Sequence, residues 1–136
     1  MKKDFGLFRG KRLDNREWVE GYLIYDERDH LYRIVTKLEY STGTFIDTGF
    51  APRVDSETVC RYTGVEDKGD KKWEGDIFQY DDDTYVISWC KQSLMFEAVS
   101  ISSSEALSLG EFRASEIWVI GNAFDNTELL EVEEND

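Results

Sequence analysis

The chain holds one proline, one histidine and two cysteines in 136 residues, and each scarcity excludes something. With His30 as the sole imidazole and Cys60 and Cys90 far apart in sequence, no zinc-ligand spacing is present. A Cys–His nucleophile would need His30 beside Cys60 or Cys90; nothing in the sequence brings them together, so His30 reads as a hairpin-edge residue. Two thiols in apolar surroundings fit a reducing cytoplasm, where both act as small buried hydrophobes rather than as a disulfide. No apolar run approaches the about 18 residues of a membrane helix. The opening Met1-Lys-Lys-Asp-Phe-Gly-Leu-Phe-Arg-Gly10 carries an acid and no sustained apolar core, so it fails as a secretory signal. Gly6, Gly10 and Gly21 have neither the spacing nor the strand-to-helix context of a phosphate-binding loop. The expectation is a soluble, cytoplasmic protein with no cofactor.

Basic residues are the next shortage. Sixteen Lys and Arg face 29 Asp and Glu, a formal net charge of −13, and the imbalance is uneven. Ten basic and eleven acidic residues precede position 58, whereas six and eighteen follow it. The first part is nearly neutral and the second is strongly acidic, which disfavours direct contact with a nucleic-acid backbone. Together with the motif content, this shift places a subdomain boundary near 55–58: an N-terminal β subdomain at 1–57, with oligomerisation as its candidate role, and an acidic, barrel-like β subdomain at 58–136.

What the chain does have is 14% aromatic residues, gathered with β-branched residues in short runs between Gly, Asp and Asn. That pattern is all-β, a small barrel or sandwich. Strands are expected at 18–25 and 30–36, joined by a turn at 26–29, with Gly21 marking a bulge or a close backbone approach. An apolar segment follows at 43–50. In the second part a short strand at 58–62 leads into a loop at 63–73, whose turn is Asp67-Lys-Gly-Asp70. Strands at 77–80 and 85–89 flank the hairpin turn Asp81-Asp-Asp83, and a further strand is expected at 94–101. A helical turn or loop follows at 102–109, then a last strand at 116–123, a turn with a short helical segment at 125–130, and a solvated acidic tail. Exposed sheet edges make homo-oligomerisation the expected way of covering them.

No catalytic or metal constellation stands out. Glu74 and Asp76 flank Gly75 and would share one strand face, as paired carboxylates do in glycosidases. The structural alternative has Asp76 accepting hydrogen bonds from the turn while Glu74 faces solvent. Asp81, Asp82 and Asp83 are adjacent, unlike the spaced ligands of a calcium loop, and read as a solvated turn. Together, Glu74, Asp76, Asp81, Asp82 and Asp83 form a candidate interaction surface.

Three ordered stretches carry a resemblance. They are Phe8-Arg-Gly-Lys-Arg-Leu-Asp-Asn-Arg-Glu-Trp-Val-Glu-Gly-Tyr22, then Arg61-Tyr-Thr-Gly64 with Asp67-Lys-Gly and Glu74-Gly-Asp-Ile77, then Val119-Ile-Gly-Asn122 with Glu128-Leu-Leu130. Together they resemble the YopX family of small phage and prophage proteins. Residues 31–54 add little to the match, and Gly69-Asp70 stands where the family's central turn is usually Asn-Gly or similar. Gly64, Gly69, Gly75 and Gly121 would sit where strands start or bend, with Trp73 or Trp118 buried beside them. The resemblance implies a mainly-β protein that assembles into oligomers in a bacterial host cell, with no assigned chemistry. The functional expectation is a non-enzymatic accessory protein acting by protein contacts. Its rivals are an acidic decoy or inhibitor that captures a basic nucleic-acid-binding protein, and a hydrolase using Glu74 and Asp76.

Overall fold

The alternating apolar residues do form strands: in a computed structural model that describes residues 6–36 and 51–131, 54% of the described residues are in strands and 12% in short helical turns. The apolar segment at 43–50 and the tail from 132 onward lie outside the described residues. The chain separates into two compact units, Met1–Tyr62 and Thr63–Asp136, and the sheets curl in half-barrel fashion.

In the first unit, β1 (Leu7–Lys11), β2 (Trp18–Asp26), β3 (Leu31–Val35), β4 (Arg53–Val54) and the start of β5 (Cys60–Asp67) pair in the order β4-β3-β2-β1-β5. The β2–β3 hairpin falls where the polar run 26–29 suggested, with Tyr25 opposite Tyr32. Gly21 makes no bulge, since the β1–β2 register runs unbroken through Phe8 opposite Gly21. It marks a close approach instead: a Cβ there would lie 2.2 Å from the Val35 carbonyl oxygen. Ile34, Val54 and Cys60 are essentially fully buried, and burying each of the two aliphatic side chains contributes about 1.5–3 kcal/mol. Beside them lies a buried charge. Arg33 donates from Nε to Asp26 Oδ2 at 2.9 Å, from Nη2 to Asp29 Oδ2 at 3.0 Å and from Nη1 to the Ala51 carbonyl at 2.7 Å. Because its planar fork is met on three sides, the guanidinium tolerates burial.

The expected boundary at 57/58 lies five residues before the division after Tyr62, for a pairing reason. Cys60 and Arg61 are opposite Arg9 and Phe8 of β1, so the start of β5 belongs to the first sheet. The rest of β5 belongs to the second unit, where it forms a hairpin with β6 (Asp70–Trp73). The stretch 63–73 is therefore a hairpin and not the expected loop; its charged residues conceal two strands. Lys68 and Gly69 both have positive φ, 52° and 86°, as a two-residue type I′ turn demands. The central turn is thus Lys68-Gly69, with glycine in second place as in Asn-Gly, and the apparent departure at Gly69-Asp70 disappears.

The second unit's other sheet runs β10-β9-β8-β7-β11, built from β7 (Asp76–Tyr80), β8 (Asp83–Cys90), β9 (Met95–Ser100), β10 (Ala106–Ser108) and β11 (Val119–Asn122). Phe78, Ile87, Ala98, Leu109 and Ile117 form its buried core. Three expectations are corrected. Residues 106–108 add a strand to β9 where a helical turn or loop was expected, and a helical turn comes next, at Leu109–Glu111. The last strand starts only at Val119, because Ala114–Glu116 is a helical turn. Of the two tryptophans either of which was expected to be buried, Trp73 is the one, at 3% exposure, and Trp118 is 74% exposed. Cys90, expected to be buried, is half-buried, and both cysteines are free thiols.

Candidate functional site

The five carboxylates singled out in the sequence do not form one surface. Glu74 and Gly75 are the turn between β6 and β7, so the period-two argument that put Glu74 and Asp76 on one strand face fails. Asp76 is 3% exposed, and its Oδ2 accepts from the Trp73 backbone N–H at 2.8 Å, closing that turn as the structural alternative required. Glu74 is half-buried rather than solvent-facing. Gly75 anchors the turn in the sheet by donating to the Ile87 carbonyl and accepting from Ala123 N–H, both at 2.8 Å. This arrangement is a structural clamp.

The Asp81-Asp-Asp83 run divides as well. Asp81 and Asp82 are the exposed central residues of the β7–β8 hairpin, with φ of 51° and 66°, again a type I′ turn. Asp83 is turned inward. Its carboxylate accepts from Ser100 Oγ at 2.8 Å and Ser102 Oγ at 3.2 Å, and the Ser100 bond, with the Thr84 backbone N–H, holds its pKa below the usual carboxylate range. Only Asp81 and Asp82 remain available at the tip.

Around that tip the fold assembles an aromatic group that the sequence did not announce. Phe78 stacks on Tyr85 at 5.5 Å between ring centroids, and Phe112 meets Phe78 and Tyr80 edge-on, each at 5.2 Å. Tyr80 is 40% exposed. The Glu116 carboxylate faces its hydroxyl and, with Asp81 nearby, raises the Tyr80 pKa. Burial, then the charges of Asp83, Asp81 and Glu105, raises that of Tyr85. Glu116 is itself fixed by accepting from Arg113 N–H at 2.8 Å. Tyr80 was legible as the end of a strand; Phe112 caps one helical turn and Glu116 ends the next, where a strand was expected to begin, so the sequence pattern did not bring them together.

His30 closes the β2–β3 turn with φ of 59°, and its Nδ1 lies 3.1 Å from the Tyr25 hydroxyl. Among the described residues, no group of three His, Cys, Asp or Glu side chains is placed to hold a metal ion, and no helix is long and apolar enough to cross a membrane.

These features define a mostly-β protein whose acidic second unit carries a carboxylate-rimmed aromatic edge. The model of a protein family described as YopX protein matches residues 7–131, and the chain belongs to the YopX family. No curated protein matches the sequence.

Proposed function

We propose that this is a non-enzymatic phage or prophage accessory protein of the host cytoplasm, self-associating, that acts by contact with a partner presenting a basic segment. The observation that carries the reading is the exposed ring of Tyr80 beside the carboxylates of Asp81 and Glu116. A Lys or Arg side chain over such a ring gains cation–π attraction, and the carboxylates add charge-assisted hydrogen bonds. The strongly acidic second part of the sequence would steer that partner at long range, and salt would weaken the steering. This reading keeps the acidic decoy as its special case, in which the basic segment belongs to a nucleic-acid-binding protein. The Glu74 and Asp76 hydrolase has no observation in its favour.

The test is capture from nuclease-treated host lysate with the wild type and with an Asp81→Asn/Asp82→Asn variant, washed at low and high salt. A basic partner held by the wild type at low salt, and lost both at high salt and from the variant, supports the reading. Equal recovery by the variant would sink it.

A further inference from the structure

A second recess in the acidic unit, separate from the Tyr80 edge, carries a different chemistry. It is a half-open groove of about 330 Å³ between the tip of the β5–β6 hairpin and the segment leading into β11. It has Asp67, Lys68, Asp70 and Lys72 on one side and Ser115 and Trp118 on the other. We infer that this groove binds a nucleobase, stacked on Trp118 and hydrogen-bonded along its edge by the hairpin side chains.

Three observations lead there. The Trp118 indole is 74% exposed, and among the described residues no side chain makes a hydrogen bond or ring contact with it. It is a large flat apolar surface left open at the mouth of a recess, where small-molecule sites are found. Lys72 is the opposite case, a charged side chain only 5% exposed whose Nζ donates to Asp70 Oδ2 at 2.8 Å. An ammonium has three hydrogens to donate, and among the described residues Asp70 is its one side-chain or backbone acceptor. Among the described residues, that leaves two of its hydrogens for what enters the groove it lines.

The third observation is balance. Within a unit that is strongly acidic overall, the groove wall offers two ammonium groups, two carboxylates and the Ser115 hydroxyl, with no net charge. A free anion would gain Lys68 and Lys72 but meet Asp67 and Asp70, and a cation would meet the reverse. A flat neutral ring whose edge both donates and accepts uses all of them, and the bases are such rings. Stacking on tryptophan serves any base because each has a π face. The surrounding charge also sets a ranking. Phosphate groups are repelled, so a nucleoside binds better than its monophosphate, and the monophosphate better than the diphosphate.

The experiment follows the indole N–H resonances of the full chain by NMR during titration with adenosine, guanosine, cytidine and uridine, and then with the 5′-phosphates of the best binder. The Trp118 signal is assigned by its disappearance in Trp118→Phe. The expected result is a saturable shift of that signal by at least one nucleoside, with the affinity, followed in the wild type and the variants through the backbone amide resonances of Lys68, Gly69 and Asp70, weakened by about tenfold or more in Trp118→Ala, and weakened further with each phosphate, more so at low salt. Because Trp118 is exposed, the alanine variant keeps the fold, and Lys68→Gln at the exposed hairpin tip provides a second variant that weakens binding. No saturable shift from any of the four, unchanged affinity in Trp118→Ala, or tighter binding with added phosphate would each overturn the assignment.

Discussion

Asp26 shows how a single side chain holds two elements together. It accepts from Arg28 through Nε, Nη2 and the backbone N–H, and from Arg33 Nε at 2.9 Å. The Arg28 bonds, followed by Arg33, pull its pKa well below the usual carboxylate range. A carboxylate whose pKa is depressed on folding adds stability that is fully present above its unfolded value of about 3.9 and lost as pH falls toward the folded one. Asp26→Asn should therefore lower the thermal midpoint at pH 7, with the gap to wild type closing between about pH 4 and pH 2; a constant gap across that range would contradict the account. Gly21 is the second such residue, since its missing Cβ makes room for the Val35 carbonyl. Gly21→Ala should cost about 2 kcal/mol or more, read as a lower urea midpoint. The glycine's unusual position was legible as a break in alternation. The Asp26–Arg33 pair was not, because it depends on the β2–β3 register. Which of Trp73 and Trp118 is the buried one was illegible for a related reason: either tryptophan beside a strand suggests core, and the placement of β11 at a sheet edge is what leaves Trp118 exposed.

Hairpins are the elements that the sequence announced best and in one instance concealed. The β7–β8 turn was visible because three acids interrupt two aromatic, β-branched runs. The β5–β6 hairpin was hidden because Glu66, Asp67, Lys68, Asp70, Lys71 and Lys72 carry little strand propensity, and its pairing comes from the neighbouring strand. The two turns differ in an instructive way: Gly69 relieves the second position of one, whereas Asp82 occupies it in the other at φ of 66°. Type I′ turns favour Asn-Gly, so Asp81→Asn/Asp82→Gly should raise stability by about 1 kcal/mol, measured as a higher denaturation midpoint. The same change removes both exposed charges from the tip. A variant that folds better and captures its partner worse would separate what these aspartates do for the fold from what they do for binding.

For the whole chain, family membership and the mostly-β class were readable from motifs and patterning, while the exact division into units was not. Charge balance and motif content changed near 57/58, but the division follows hydrogen bonding, which carries β5 past that point. The two free thiols provide a probe for each unit: Cys60 is buried at 1% exposure in the first, and Cys90 is half-buried in the second. A thiol reagent followed by mass spectrometry should label Cys90 first and Cys60 at least about a hundredfold more slowly, at the rate at which its surroundings open. Comparable rates would mean that the first unit's interior is far looser than its packing indicates.

The division after Tyr62 falls inside β5 and not in a connecting loop, and this bears on how such a gene can change. Exchange between related genomes most readily yields working hybrids when the crossover lands in a flexible linker. Here a crossover at the division must reproduce the strand on both sides, because a slip of one residue turns every side chain to the wrong face. An exchange of halves therefore cuts through a paired strand, whereas a change at a hairpin tip leaves the strand pairing intact.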